Sequence, residues 1–444
     1  MRKPALLPVV VRASAGLVLG LALAACSTPC AADGAQWQLA TTLRPDGCRP
    51  VAAGADLQAA VDGVAAGGAL CLEAGQHRGP IAVRTPMTIW GPRDAVIDSG
   101  GAGTVVRLAA PGARLLGVTV DGTGGKFDKL DGAVLVTADD AVVEGITVVG
   151  AVYGVLVERA WRVRIAGNHV RGGTEVAIGL RGDTVRLWET DDAVVEDNLL
   201  EDGRDMVVWY SRNATVRRNQ VRRARYGTHF MFGHGARVLG NRYVDVTVGV
   251  FVMYSRGVEL NSNLIANAAG AAGIAIGLKD SGSVRIIDNV LVRDEVGIYL
   301  DATPQRRDEQ VEIRGNQLRL CRTAIAFHAA SHGVVVRGND FGGNEIQTRV
   351  DGGGDALSVA WEGNWFDDYT GYDLDGDGVG DVPYELRSFS GQLMARRPEL
   401  GFFQGTPALA MADAAAHLDP LYQPRKLLVD PRPRMAPVAT RGGI

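Results

Sequence analysis

Nine asparagines place the strongest constraint on this chain. They stand at Asn168, Asn198, Asn219, Asn241, Asn263, Asn289, Asn316, Asn339 and Asn364, spaced 30, 21, 22, 22, 26, 27, 23 and 25 residues apart. Most sit inside the phrase aliphatic, any, any, Asn, any, hydrophobic. A period near 22 residues with no helical pattern between repeats marks a solenoid, in which each repeat buries its apolar face against its neighbours. Segments such as Thr215–Arg217, Val258–Leu260 and Val311–Ile313 alternate apolar and polar residues as half-buried strands do. A second phrase, Gly followed by aliphatics, returns at Gly154, Gly249, Gly273 and Gly297. Two strand phrases in register per repeat predict an all-β fold, a right-handed parallel β-helix. At a bend between strands an Asn side chain can bond unpaired backbone groups and tolerate a left-handed conformation, and amides in successive coils can stack. The 58 glycines and the low aromatic share of 6% suit many tight turns around a narrow aliphatic core.

Ahead of the repeats, Met1-Arg2-Lys3 and Arg12 precede an apolar run from Ala13 to Ala25 that ends Leu23-Ala24-Ala25-Cys26. A basic start, a short apolar stretch and small residues before a cysteine describe a lipoprotein signal over residues 1–25, with Cys26 as the lipidated residue. This predicts a periplasmic protein held to a membrane through its lipid; no other stretch reaches the length of about 18 apolar residues that a spanning helix needs. Residues 26–50 read as tether and lead-in, and residues 51–366 as the β-helix with its N-terminal cap. That cap is the short amphipathic helix Asp56–Val64, which covers core and strand edges at the open end. Cys48 and Cys71 flank it, and outside the cytoplasm a disulfide between them would close the cap on a first strand, Ala69–Leu72. Cys30 is left free or paired elsewhere, and Cys321 reads as a buried hydrophobe. The Gly- and Asp-rich stretch Asp121–Lys129 reads as an insertion. With 46 basic against 50 acidic residues there is no surplus of positive charge to bind nucleic acid.

The unusual chemistry lies in the middle coils. Met206, Met231 and Met253 recur there, His229 and His234 bracket Met231, and His229 shares strand parity with Met231. Strands pack about 5 Å apart, so methionines at matching positions would bring soft sulfurs together, and imidazole with thioether suits copper, Cu(I) above all. The competing reading is core filler. Tyr226, Trp209, Tyr210 and Tyr254 around these residues also make a recognition patch, since aromatic residues are common at interface hot spots.

Residues 367–435 read as an Asp-rich loop followed by a C-terminal cap, and 436–444 as a mobile tail. Asp373, Asp375, Asp377 and Asp381 hold positions 1, 3, 5 and 9 of a turn-forming loop with Gly378 at position 6. Tyr384 stands at position 12, where an EF-hand has its bidentate Glu, so the pattern points to a weak calcium site with Trp361 and Trp365 packed beneath it. Ser388–Phe403 is apolar around a proline, and Pro407–Leu421 predicts an amphipathic helix.

Arg225–Phe232, Met253–Arg256, the stretch Gly363–Tyr384 and the closing Leu428–Met435 resemble the NosD family, extracytoplasmic β-helix proteins of nitrous oxide reductase maturation. The likeness runs from the early coils to about Met435; the lipobox departs from many plainly secreted members. It implies a non-enzymatic role in assembling the copper cofactor of that reductase, beside an ABC ATPase and its permease, with contact to the reductase or a copper chaperone. ATPase activity would belong to the partner, as the chain has no Walker A pattern. Within such a family the apolar C-terminal segment would lie against the permease. Tyr226, His229, Met231, Met253 and Tyr254 are then the expected partner and copper patch, with His234 in reserve. The rival is a carbohydrate-binding or carbohydrate-processing β-helix, with Asp205, Glu189, Asp191, Arg223 and Arg225 lining a groove.

Overall fold

A computed structural model describes residues 37–123, 127–328, 332–351, 354–403, 406–418 and 424–438. The expected signal, Cys26 and Cys30 lie outside these residues. Among them runs a right-handed parallel β-helix with three strands per coil, which line up as sheets of 14, 13 and 12 strands, here called sheets 1, 2 and 3. One coil reads Thr215–Arg217 in sheet 1, Gln220–Arg222 in sheet 2 and Tyr226–Met231 in sheet 3. Two strand phrases per repeat were expected, and the third is the finding. Sheet 2 strands such as Gln220–Arg222 carry a single inward residue, here Val221, which is too short for alternation to appear. Inward side chains from all three sheets form one aliphatic core along the axis.

The asparagines occupy the corner between sheets 1 and 2 and are all buried. Each amide is bonded on both sides. Asn241 Nδ2 donates to Val216 O at 2.9 Å and to Asn263 Oδ1 at 3.0 Å, while its Oδ1 accepts from Asn219 N at 2.9 Å and Asn219 Nδ2 at 3.0 Å. The same pattern runs from Asn168 to Asn364. The left-handed residue expected at this bend is the one before the asparagine: Gly167, Asp197, Arg218, Gly240, Ser262, Asp288, Gly315, Gly338 and Gly363 have φ between 52° and 67°. The corner twist thus falls on the residue before the buried amide, leaving the amide free to bond.

Both ends are covered. The first strand is Arg49–Val51, which pairs with Ala69–Leu72 and so precedes the strand expected to be first. Helix Leu57–Asp62, N-capped by Asp56 accepting from Ala59 N at 2.9 Å, buries Leu57 and Val61 over the first coil. A disulfide joins Cys48 to Cys71, with Cα atoms 5.6 Å apart. Ahead of it the lead-in lies as a strap along the corner of sheets 1 and 2: Trp37 Nε1 donates to Asp197 O at 2.8 Å and Ala40 N to Gly167 O at 3.1 Å. A side chain at Gly167 would stand 2.2 Å from Ala40 Cβ, so glycine there makes room for the strap. At the other end Phe341, Phe366 and Tyr384 stack to plug the core. Trp361 packs into that plug, whereas Trp365, expected beneath the acidic loop, is half-buried at the side of sheet 2. Strand Lys426–Asp430 pairs antiparallel with Tyr384–Arg387 and brings Asp430 to Asn364. The last helix covers Pro407–Leu418, and the rest of the expected helix lies outside the described residues.

Two predictions follow from the corners. Replacing Asn241 by Leu strands the Asn219 N–H, the Asn219 amide and the Val216 carbonyl in a dry interior, so stability should fall by about 3 kcal/mol or more; a denaturation midpoint unchanged from wild type contradicts this. The second concerns Asp294, at the corner of sheets 2 and 3. Burial pushes its carboxyl up to about 8 against hydrogen bonds from Ala268 and Val292. The fold therefore holds a proton that the unfolded chain releases above the ordinary carboxyl value of 3.8, so this group's stabilising contribution, complete at low pH, is lost as pH rises through about 8. Asn344 fills the same role one coil beyond Cys321, accepting from Cys321 N at 3.0 Å as Asp294 accepts from Ala268 N at 2.7 Å. Asp294→Asn should fold and should gain stability over wild type increasingly from pH 5 to pH 9, as read by urea denaturation.

Candidate functional site

The outer face of sheet 3 carries the chemistry, because strict register stacks outward side chains into columns. Arg186, Val207, His229 and Phe251 form one column, and Trp188, Trp209, Met231 and Met253 the next. Beyond the strand ends, Tyr210, Phe232 and Tyr254, all left-handed, stack face to face at 5.2 and 5.1 Å. Met206, grouped with the other methionines on the sequence, points inward instead and is fully buried beside Thr228.

Tyr226 and His229 are three residues apart, which in a regular strand places side chains on opposite faces. Relative to the preceding coil, strand Tyr226–Met231 has one extra residue: Asp205 pairs with Tyr226 but Val207 with His229. The slack is taken up at Gly227, where a Cβ would meet the Tyr243 ring at 2.3 Å and Gly249 O at 2.5 Å. The Tyr226 ring can then stack on His229 at 4.6 Å, while Trp209 meets the same imidazole edge-on at 5.4 Å.

Besides the two rings, a thioether and a carboxylate face that imidazole. Its Nε2 lies 3.4 Å from Met253 Sδ, and Met231 is the register partner of Met253 on the same face. Its Nδ1, buried and without a hydrogen bond, faces Asp205 Oδ2 at 3.9 Å. Asp205 is itself fully buried and gripped by both ends of the Arg225 guanidinium. Burial works to raise its pKa, but the His229 ring and Arg225 outweigh that and hold the carboxyl below the ordinary range. Asp183, bonded to Arg204 at 2.8 Å, is pushed by burial up to about 6, with Arg204 opposing. Arg186 lies over the Trp188 and Trp209 rings at 4.9 and 5.2 Å. The Arg186 Nε and Trp209 Nε1 hydrogens are buried without partners.

His229, Met231, Met253 and Tyr226 are thus brought together, and Tyr254 borders them at the end of the ring stack. His234 is placed apart. It lies past the strand, paired across coils with Arg212, and its Nδ1 accepts from Arg256 N at 3.2 Å. Burial, then Arg256 and Arg212, lower its pKa. Trp188, Phe232, Arg186 and the orienting position of Asp205 were not picked out from the sequence. Spacing would have found the rings, since Trp188, Trp209, Met231 and Met253 follow one another by 21, 22 and 22 residues and Met206 breaks that count.

The residues suggested for a sugar groove do not converge. Asp205 is spent on Arg225, Arg223 on Asp202 at the corner of sheets 2 and 3, and Glu189 on Arg159 at the opposite corner. Beside Arg223 runs an open groove of about 450 Å³, overhung by Ile178 and Arg181 from the long connection within the Asn168–Asn198 repeat. In the acidic loop, ligand atoms of Asp373, Asp375 and Asp377 lie within 4.8 Å of one another, a cluster that can coordinate a metal ion. Asp381 is not part of it and instead accepts from Leu374 N at 2.6 Å.

Residues 167–371 match a family described as "Periplasmic copper-binding protein (NosD)". A "Probable ABC transporter binding protein NosD" of Pseudomonas aeruginosa is 27% identical over 368 residues, covering 77% of this chain and 82% of that protein. The protein of the same description in Stutzerimonas stutzeri is 25% identical over 387 residues, covering 76% and 80%. Among solved structures, the A-module of the Azotobacter vinelandii mannuronan C-5 epimerase AlgE6 aligns at TM-score 0.53 and 14% identity, over 68% of this chain and 93% of that one. The catalytic unit of a Streptomyces thermodiastaticus GH87 α-1,3-glucanase aligns at 0.54 and 14%, over 70% and 67%. Likeness at that identity establishes the solenoid alone.

Proposed function

We propose, from the premise that this chain belongs to the NosD family, that it is a non-enzymatic periplasmic accessory in assembling the copper cofactor of nitrous oxide reductase. It works beside an ABC permease and ATPase, the ATPase supplying the energy, and copper is its cargo. The observation that carries this is the convergence of His229 Nε2 and Met253 Sδ at 3.4 Å with Met231 alongside. An imidazole nitrogen and two thioethers are the donor set that Cu(I) prefers and that hard cations avoid. All three side chains are at least partly buried on one rigid face, and a metal held there remains within reach of a second protein. The surrounding tryptophans, tyrosines and Arg186 supply the composition of an interaction hot spot, which suits hand-over to the reductase or to a copper chaperone.

Carbohydrate processing fits this face less well. Sugar rings stack on exposed aromatic faces, but in Tyr210, Phe232 and Tyr254 those faces are turned toward one another. The carboxylates that a glycosidase needs as a facing pair are here neutralised by separate arginines.

The acidic loop is assigned to calcium. Its oxygens are hard, and Asp373 already ties the turn by accepting from Gly376 N and Gly378 N. At the C-terminus, the exposed side chains of Phe402, Phe403, Met411 and Leu418 give the helical segment an apolar surface that suits a membrane permease. Among the described residues no helix is long and apolar enough to cross a membrane. Membrane attachment is therefore assigned to lipid on Cys26.

Three experiments test these assignments. Cu(I) titration of purified protein against a competing chelator should show binding that is lost in the His229→Ala/Met253→Ala double variant and kept in His234→Ala; equal affinity in all three rejects the site. The same series with Ca²⁺ should lose its response in Asp375→Ala/Asp377→Ala. For the permease, a chain with Phe402, Phe403, Met411 and Leu418 all changed to Ser should no longer copurify with it. This choice spares strand Lys426–Asp430, whose Asp430 caps the asparagine ladder. Full retention of the permease by that chain removes the segment from the interface.

A further inference from the structure

We propose that Asp205 is a positioning residue for His229: it holds the imidazole as the Nδ1–H tautomer and so leaves the Nε2 lone pair aimed at the space shared with Met253. This rests on the copper reading for its purpose, although the tautomer is a property of the metal-free protein.

The inference comes from what each ring nitrogen faces. Nδ1 is buried, makes no hydrogen bond, and looks at the Asp205 carboxylate 3.9 Å away. Nε2 looks at a thioether sulfur 3.4 Å away. If Nε2 carried the hydrogen, the bare Nδ1 lone pair would be directed at a buried carboxylate, an uncompensated repulsion in a dry setting. With the hydrogen on Nδ1 that contact becomes attractive. The cost of this choice falls at the other nitrogen, where two lone pairs, nitrogen and sulfur, then converge with nothing between them. Convergent soft lone pairs are unfavourable empty and favourable around a soft cation.

The remaining neighbours prevent the ring from escaping this choice by turning. Tyr226 stacks on one of its faces and Trp209 stands edge-on to the ring. Asp205 in turn cannot swing away, because Oδ1 accepts from Arg225 Nε at 2.9 Å and from Tyr226 N at 3.3 Å. Arg204 Nε, 3.7 Å from Oδ2, adds positive charge on the same side. A carboxylate behind a metal-binding imidazole fixes ring orientation and tautomer, and its loss costs about 10–100-fold in metal affinity where this has been measured.

Asparagine is the conservative test, since it keeps an acceptor for Arg225 while removing the negative charge. In ¹⁵N-labelled metal-free protein, long-range ¹H–¹⁵N spectra separate the two tautomers. With seven histidines in the chain, the His229 signals are assigned by their disappearance in His229→Gln. Wild type is expected to show the Nδ1–H form, and Asp205→Asn a shift toward Nε2–H together with Cu(I) affinity lower by about 10–100-fold. A wild-type His229 in the Nε2–H form overturns the proposal, and this measurement stands even if Asp205→Asn does not fold. So does an Asp205→Asn chain whose tautomer is unchanged, for that would make Asp205 a merely structural partner of Arg225. Absence of Cu(I) binding in wild type beside an Nδ1–H His229 would instead overturn the copper reading and leave the role of Asp205 in place.

Discussion

The asparagine ladder is the interaction on which the rest of the solenoid depends, and it has a direction. Each asparagine gives its backbone N–H and one side-chain N–H to the Oδ1 of the next coil's amide, so the amide-to-amide ladder runs toward the C-terminus, while the same Nδ2 also reaches back to a carbonyl of the preceding coil. Such a chain cannot end on another asparagine without leaving that amide's own donors bare in the core. It ends on Asp430, an acceptor with no donors to satisfy, which takes Asn364 N at 3.0 Å, Asn364 Nδ2 at 2.8 Å and Gly363 N at 3.2 Å. A buried polar row of this kind stabilises only when every member is satisfied, so the C-terminal strand belongs to the solenoid as much as the coils do.

Register follows from the ladder, and the functional face follows from register. With the sheet 1 to sheet 2 corner fixed in each coil, any variation in coil length is pushed to the corners on either side of sheet 3. The long connection before Val185 and the extra residue at Gly227 both lie there. The first raises an overhang beside the face, and the second turns Tyr226 to the same side as His229. Irregularity is thus confined to the part of the coil that carries unusual side chains.

The coils were legible because their signal is local and repeated nine times, whereas the earlier coils, with Val118 and Ile146 at the same corner, lack it. The third strand of each coil was hidden because three residues with one inward side chain leave no pattern. His229, Met231 and Met253 were legible as soft ligands at strand parity. Met206 was misplaced because similarity of residue type was allowed to stand for register, which its spacing of 25 residues from Met231 denies. Asp205 had no signature at all as an orienting group. Its role comes from meeting His229 across two coils, and only coordinates place a carboxylate behind that ring.

Enzymes that act on polysaccharides share this solenoid at 14% identity, and the scaffold is indifferent to the difference in use. What separates the cases is how outward columns are filled. A sugar site leaves ring faces open and carboxylates unpaired, because both must reach a substrate. On this chain Tyr210, Phe232 and Tyr254 stack on one another, and Asp202 and Asp205 are bound to arginines. At the centre of the face the His229 imidazole nitrogen Nε2 meets the Met253 thioether, with Met231 beside it in register. On the proposed reading that is enough for a soft cation and too little to keep it permanently, since the thioethers sit on flexible arms and bring no charge. On the same reading the coils hold the nitrogen in register, and the uncharged thioethers allow a cargo metal to pass on.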